Sequence, residues 1–427
     1  MASWSPNPRC AVCLRARPHE KVERDPDVNV IGLVEIRHCL LVGFAEASLD
    51  RSFMSNEPQQ IGVGVIGCGG FGLFALQQFA QVPGVRLVGM AATYREAAHA
   101  VARRFGLPDV TEVEALLQMP GLDLVYIATP PFLHHPQAMQ ALQAGKHVLV
   151  EKPSALHLAQ ADEMLAAARE RGLLLATDLM QRYNPLFDAV QGLLERKPLG
   201  ELLHAYFENY ASDEGLPPEH WFWDRNKSGG IFVEHGVHFF DLFAGWLGRG
   251  RVEAAQVCRR PGTTIEDQVS CTVRYGDNVL VDFYHGFTQP GRMDRQELRL
   301  VFERGDVRLE EWVPVRATIH ALVDEADTRT LCELFPDSRL DVTAWYAGKD
   351  RVCSGRHKAL DVYQMVEMRH GEGNLKMHRY GELVRSLLAD QLAWIEDRRH
   401  SRRVTEQNGR DALAVAVEAD LVAHEQC

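Results

Sequence analysis

Ile61-Gly-Val-Gly-Val-Ile66, followed at once by Gly67-Cys-Gly-Gly-Phe-Gly72, is the stretch on which the fold turns. The first six residues are a short apolar run of the kind that makes a strand buried on both faces. The next six carry glycine at their first, third and sixth positions, and residues 71–81 then follow a helical pattern. Strand, glycine turn and helix in that order form a phosphate cradle. The first glycine allows the tight turn and the second lets the backbone approach a pyrophosphate. The third lets helix and strand come close, and the helix start offers free N–H groups. Gly67, Gly69, Gly70, Phe71 and Gly72 are therefore read as the cofactor-binding residues of a dinucleotide site.

In such sites an acidic residue about 20 positions further on, at the end of the second strand, binds the ribose 2′-OH of NAD. That place falls here at Ala92, followed by Thr93, Tyr94 and Arg95. No carboxylate is present to repel a 2′-phosphate, while Thr93 offers a hydroxyl and Arg95 a guanidinium to bind one. NADP is favoured over NAD on this ground.

Further along, apolar runs at 85–91, 122–128 and 147–150 alternate with helical patterns at 95–105 and 135–144, and a helix over 159–170 and a strand over 173–177 follow. Alternation of this kind means βαβ units and a parallel sheet. The texture then changes to period-two segments at 202–210, 269–275, 279–285, 296–303 and 306–312. Arg304-Gly305-Asp306 reads as a hairpin turn with glycine where positive φ is needed. Residues 328–372 have weak periodicity and read as an insertion or loop excursion, and helices at 380–396 and 409–422 finish the chain. The expected fold is α/β. A doubly wound Rossmann sheet occupies 58–178, and a second α/β unit over 179–427 has a mostly antiparallel or mixed open sheet. Residues 1–57, polar and aperiodic at their start, read as an extension outside the fold or a misassigned translation start.

Composition narrows the function classes. The chain of 427 residues has room for two or three domains, and its net charge of -12 argues against nucleic acid as a main partner. Nine cysteines with mostly long gaps do not make a disulfide framework, which points to a reducing, cytoplasmic setting. The longest uncharged stretch, 58–85, is broken by seven glycines, so no membrane span is expected. Cys10-Ala-Val-Cys13 has the spacing of a metal pair, but no second such pair exists and no metal is expected.

Five motifs carry a family likeness. Ala128-Thr-Pro-Pro-Phe-Leu-His134 is followed by Ala141-Leu-Gln-Ala-Gly-Lys-His-Val-Leu-Val-Glu151-Lys152-Pro153. Gln181-Arg-Tyr-Asn-Pro185 follows, then Ser228-Gly-Gly-Ile-Phe-Val-Glu234-His-Gly-Val-His238-Phe-Phe-Asp241, then Arg403-Val-Thr-Glu-Gln-Asn-Gly409. In this order they resemble the glucose-fructose oxidoreductase, inositol dehydrogenase and rhizopine catabolism (Gfo/Idh/MocA) oxidoreductases, from about residue 60 to the end. The resemblance implies an NAD(P)-dependent enzyme, a homo-oligomer (dimer or tetramer), whose small-molecule substrate is a sugar, cyclitol or related polyol. It implies that Lys152 is the lysine of the Glu-Lys-Pro motif and His238 the active-site histidine. Glu234 stands where the family commonly has Asp, which keeps the charge and moves the carboxylate.

The chemistry agrees with these assignments. Oxidising a secondary alcohol by hydride transfer needs a base for the hydroxyl proton, a cation for the developing alkoxide and an orienting carboxylate. His238, Lys152 and Glu234 suit those roles as catalytic residues. Thr129, Pro130, His134, Glu151 and Lys152 are expected to line the nicotinamide end of the cofactor site, and Tyr183, Asn184 and Asp241 the substrate side. Three other readings stand beside this one. Within the family, the chain could reduce a non-sugar substrate or act as an NAD-dependent glycosidase. Outside catalysis, it could be a dinucleotide-sensing regulator. Glu234-His235-x-x-His238 could also be a metal constellation, although hydride chemistry asks for none.

Overall fold

The computed structural model describes residues 60–92, 95–108, 111–371 and 375–425, with side chains left aside at 95–97. The N-terminal extension with Cys10 and Cys13, Thr93, Tyr94 and the Arg95 side chain lie outside the described residues.

The first unit runs β1 (Ile61–Ile66), α1 (Gly70–Phe79), β2 (Val85–Ala91), α2 (Arg95–Arg104), α3 (Val113–Leu117), β3 (Leu124–Ile127), α4 (His134–Gln143), β4 (His147–Val150), α5 (Leu158–Arg171) and β5 (Leu175–Thr177). Its sheet has the order β2-β1-β3-β4-β5 and every pairing is parallel. Strand order reverses beside β1, so the glycine turn after β1 opens onto the crevice where such sheets bind ligands. Val63 and Val65 of β1 are buried with Leu76 and Phe79 of α1 on one side. Val125, Ile127, Val148 and Val150 are buried with Ala138 and Leu142 of α4 on the other. Strands apolar on both faces are the result, as a covered parallel sheet requires.

The second unit continues with α6 (Pro185–Arg196), β6 (Leu202–Ser212), α7 (Arg225–Ser228), α8 (Val237–Leu247), β7 (Gly250–Arg259), β8 (Glu266–Tyr275), β9 (Val279–Gln289), β10 (Arg295–Phe302), β11 (Gly305–Glu310), β12 (Arg316–Val323), α9 (Glu325–Leu334), β13 (Arg339–Trp345), β14 (Val352–Gly355), β15 (Lys358–Asp361), β16 (Gln364–His370), α10 (Lys376–Glu396) and α11 (Glu406–Glu425). Nine strands make one sheet in the order β13-β16-β12-β11-β10-β6-β9-β8-β7. All neighbours are antiparallel except β6 with β9, so the sheet is mixed. Its inner face packs on α8, where Phe207 stacks on Phe239 and Phe240 meets Phe283 edge-on at 4.8 Å. Each buried phenylalanine contributes about 1.5–3 kcal/mol, which fixes α8 and the segment before it on the sheet. The outer face alternates to polar residues, with pairs such as Arg299–Asp306 at 2.9 Å. Among the described residues no helix is long and apolar enough to cross a membrane.

Three expectations are corrected. Residues 328–372 are not a loop excursion: they supply part of α9, the edge strand β13, its neighbour β16, and the β14–β15 hairpin. Gly305 does not need positive φ; the hairpin pairs Phe302 with Gly305, and glycine is required because a Cβ there would stand 2.3 Å from the His320 carbonyl oxygen. Helix α10, placed above with the second unit, lies on the first. Its Tyr380, Leu383, Val384 and Leu387 join the core of β1 and α1, and Tyr380 stacks on Phe74 at 4.6 Å.

Candidate active site

The glycine turn has the space its reading demands. A Cβ on Gly72 would fall 2.0 Å from the Gly67 carbonyl oxygen, and one on Gly67, whose φ is +96°, would fall 2.6 Å from the Ala128 carbonyl oxygen. Both positions are closed by backbone. At Gly69, the residue that caps α1, nothing lies within 4 Å of an added Cβ, and the first turn of α1 has no acidic side chain. The open volume therefore sits at the helix start, where N–H groups and the helix dipole favour phosphate. A dinucleotide fits this cradle.

Glu151 and Lys152 leave β4 on the same carboxyl edge of the sheet. Lys152 Nζ donates to Glu234 Oε1 at 3.0 Å and to the Glu234 carbonyl oxygen at 2.8 Å, which ties the first unit to the second. Both side chains are largely buried, 14% exposed each. Glu234 lies in a π-helical turn, Phe232–Gly236, that runs into α8, and His238 follows in the first turn of α8. A π turn re-aims side chains relative to the α-helix it interrupts, and such turns concentrate at functional sites. His238 is 8% exposed, its ring lies 6.2 Å from Trp312, and its buried Nδ1 has no hydrogen-bond partner. Burial, and secondarily the Lys152 charge, hold its pKa well below the ordinary histidine value, so the ring is neutral. A cation held by a carboxylate beside a neutral imidazole with an unspent nitrogen can orient an oxygen and accept its proton.

The other expected site residues divide. Thr129 and Pro130 stay partly open at the end of β3, with Thr129 Cγ2 3.0 Å from the Cβ position of Gly67. Corrections apply to the remainder. His134 does not line the pocket. It is 1% exposed, and its ring nitrogens lie 2.7 Å from the Pro153 and Thr129 carbonyl oxygens, so it braces the loop after β3 against the one after β4. The Glu151 carboxyl is engaged within the fold, accepting from the Tyr126 hydroxyl and from the Lys152 N–H at 3.2 Å. Asn184 caps α6, accepting from Leu186 N–H at 3.0 Å and donating to the Pro314 carbonyl at 2.9 Å. Both ends of its amide are engaged and it is 2% exposed, so in this structure it holds α6 to the Pro314 segment. Tyr183 donates to Asp390 at 2.6 Å, and Asp241 accepts two bonds at 2.8 Å from Arg182. Glu234, His235 and His238 diverge: His235 turns to His285, at 5.3 Å between rings, while Glu234 holds Lys152.

Comparison with known proteins bears on this arrangement directly. Residues 61–179 match the model described as an oxidoreductase family with an NAD-binding Rossmann fold, and residues 187–308 match the GFO/IDH/MocA C-terminal domain. The chain belongs to the Gfo/Idh/MocA oxidoreductases. Among Gfo/Idh/MocA relatives, 1,5-anhydro-D-fructose reductase of Ensifer adhaerens is 34% identical over 217 residues, 48% of this chain and 63% of that protein. Scyllo-inositol 2-dehydrogenase (NAD(+)) of Bacillus subtilis is 29% identical over 191 residues, 44% of this chain and 54% of that one. These matches span less than two thirds of either relative. A 3-ketoreductase from Actinomadura kijaniata, solved with TDP-benzene and NADP, shares the fold at TM-score 0.62 and 20% identity, covering 84% of this chain and 97% of that one.

One group near the Gfo/Idh/MocA lysine escaped the sequence reading. Tyr126 of β3, Glu151 and Asp178 meet beneath Lys152. The available signal was a tyrosine inside the buried run Leu124-Val-Tyr-Ile127, whose hydroxyl has to find a partner.

Proposed function

We propose that the protein catalyses reversible hydride transfer between a nicotinamide dinucleotide and a hydroxyl or carbonyl of a sugar, cyclitol or related polyol. The observation that carries this reading is Lys152, held by Glu234 on the carboxyl edge that also bears the glycine turn, with neutral His238 beside it. Nicotinamide, when bound, supplies the hydride acceptor or donor. Lys152 binds the substrate oxygen and stabilises its negative charge as the alkoxide develops. His238 takes up or returns the hydroxyl proton. Glu234 orients the ammonium group, using the reach of its longer side chain. Gly67 to Gly72 hold the pyrophosphate. We further propose NADP as the preferred form, on the absence of a carboxylate at Ala92 and the presence of Arg95.

The reading includes a homo-oligomer, as the family resemblance implies. Five unpaired cysteines among the described residues support a cytoplasmic location. The test is a panel of sugars, inositols and sugar acids followed by nicotinamide absorbance with both cofactors. Turnover of at least one polyol is expected, and silence across the panel together with no cofactor binding defeats the reading. Tighter binding of NADH than NADPH, or equal loss of both in Arg95→Ala, defeats the NADP preference.

A further inference from the structure

Tyr126, Glu151 and Asp178 come from the ends of three adjacent parallel strands, β3, β4 and β5. The Tyr126 hydroxyl contacts Glu151 Oε1 closely and lies 3.1 Å from Asp178 Oδ2. A phenol has one hydrogen and donates it to one carboxyl only. The other contact becomes a hydrogen bond only if that carboxyl brings a proton of its own. Glu151 accepts from Tyr126 and from the Lys152 amide, the surroundings of an anion. Asp178 is less well supported: the Met180 N–H is its one backbone donor, its Oδ1 is buried without any partner, and its contact with Tyr126 at 3.1 Å is the longer of the two. The proton therefore belongs on Asp178, and the pair carries one negative charge instead of two.

Charges facing the pair agree with this count. Burial raises the pKa of Asp178 well above the carboxylate range, and the Glu151 charge adds to it, outweighing the lowering effects of the Tyr126 hydroxyl, the Met180 N–H and the Lys152 charge. Burial raises Glu151 as well, with Glu234 adding to it, against the lowering effect of Tyr126 and Lys152. From α10, the Tyr380 phenol is itself pushed up by burial and by both acids. Two close carboxyls in a low-dielectric interior do not ionise together.

We infer that Asp178, bridged by Tyr126 to Glu151, stores a proton whose release is coupled to the charge of the bound nicotinamide. The inference rests on the cofactor reading above. The pair lies on the carboxyl edge of the sheet, where a dinucleotide binds, and Glu151 adjoins Lys152 in the chain. The oxidised ring brings a positive charge to that edge and the reduced ring brings none. A positive charge favours ionised carboxyls, and in an interior it acts over longer distances than in water. The oxidised form then expels the proton on binding, while the reduced form leaves it in place. Linkage makes the effect reciprocal: raising the pH tightens the oxidised form more than the reduced one.

Calorimetric titration of the full chain with NAD+, NADH, NADP+ and NADPH, in two buffers of different ionisation enthalpy, counts the protons. The oxidised member of each pair is expected to release more than the reduced member, by up to one proton. Any 2′-phosphate contribution is common to both members and cancels. Asp178→Asn should abolish the difference. Binding with equal proton counts in the parent overturns the inference alone, as does a difference that survives in Asp178→Asn. Absence of binding by all four nucleotides overturns the functional reading and this inference with it. Should Asp178→Asn fail to fold, infrared spectra of the parent decide. A protonated-carboxyl band at neutral pH that weakens with the oxidised cofactor and not the reduced one is expected, and its absence overturns the proposal.

Discussion

Two polar clusters lie where the sheets meet, and both look like site material in the sequence. One is Lys152, Glu234 and His238; the other is Arg182, Tyr183, Asn184 and Asp241. They differ in how much of their hydrogen-bonding capacity is spent. In the second cluster Arg182 makes paired contacts with Asp241, Asn184 uses both ends of its amide, and Tyr183 is closed by Asp390. In the first, His238 keeps a buried nitrogen unpartnered, and among the described residues the Lys152 ammonium bonds to Glu234. Saturated polar groups hold architecture together, whereas unspent ones at a junction are available to a ligand.

Breaking the first cluster should have the largest effect. Lys152→Met or His238→Ala should lower turnover by about 10²–10⁴, the range for a positioned acid–base group, with cofactor affinity nearly unchanged. Turnover within a few-fold of the parent would revive the regulator reading. Because His238 is held neutral well below the usual histidine range, the acid limb of the oxidative rate should also lie below pH ~6.5.

Asp241→Ala tests the second cluster. It strands a buried guanidinium, so stability should fall by about 3–5 kcal/mol in denaturant unfolding, a loss that is structural in origin. A smaller change follows from His285 of β9, whose ring is fully buried with both nitrogens unpartnered and whose pKa is lowered to about 3 by burial. Its unfolded form takes up a proton below pH ~6.5 and its folded form does not, so stability falls as pH drops through the window from 6.5 towards 3. At pH 5 this one group costs about 2 kcal/mol relative to neutral pH. His285→Phe should flatten the slope of Tm against pH between 7 and 5; an unchanged slope would show that other groups set it. The smallest effect belongs to Asn184→Ala, which removes the cap of α6 and should cost about 1 kcal/mol with kcat retained. A selective loss of substrate affinity in that variant would return Asn184 to the substrate side.

Legibility followed the same division. The strand at 147–150 is found at the bounds read from its apolar run, and the glycine turn sits where its spacing put it, since strand burial and backbone closure are local properties. Residues 328–372 were opaque because β13 is an edge strand with Val342 and Trp345 exposed, so no apolar period marks a buried face. Gly305 was misread because the demand on it comes from a neighbouring strand, β12, and not from its own turn. The pairing of Lys152 with Glu234 could be suspected from the motifs. The saturation of Asn184 could not, because its second partner, Pro314, is 130 residues away. The Tyr126 group has members on three strand ends, and only topology brings them together.

Helix α10 has a consequence for the order in which the molecule is made. The face of α1 and β1 that holds Val63, Leu76 and Phe79 is completed by Tyr380, Leu383 and Leu387, some two hundred residues after β5 leaves the ribosome. At ~5–20 residues per second, that interval is roughly 10–40 s. During synthesis the nucleotide-binding sheet therefore waits with an apolar side uncovered while the whole nine-stranded sheet is made. The nascent first half is the part of this chain with most need of a chaperone.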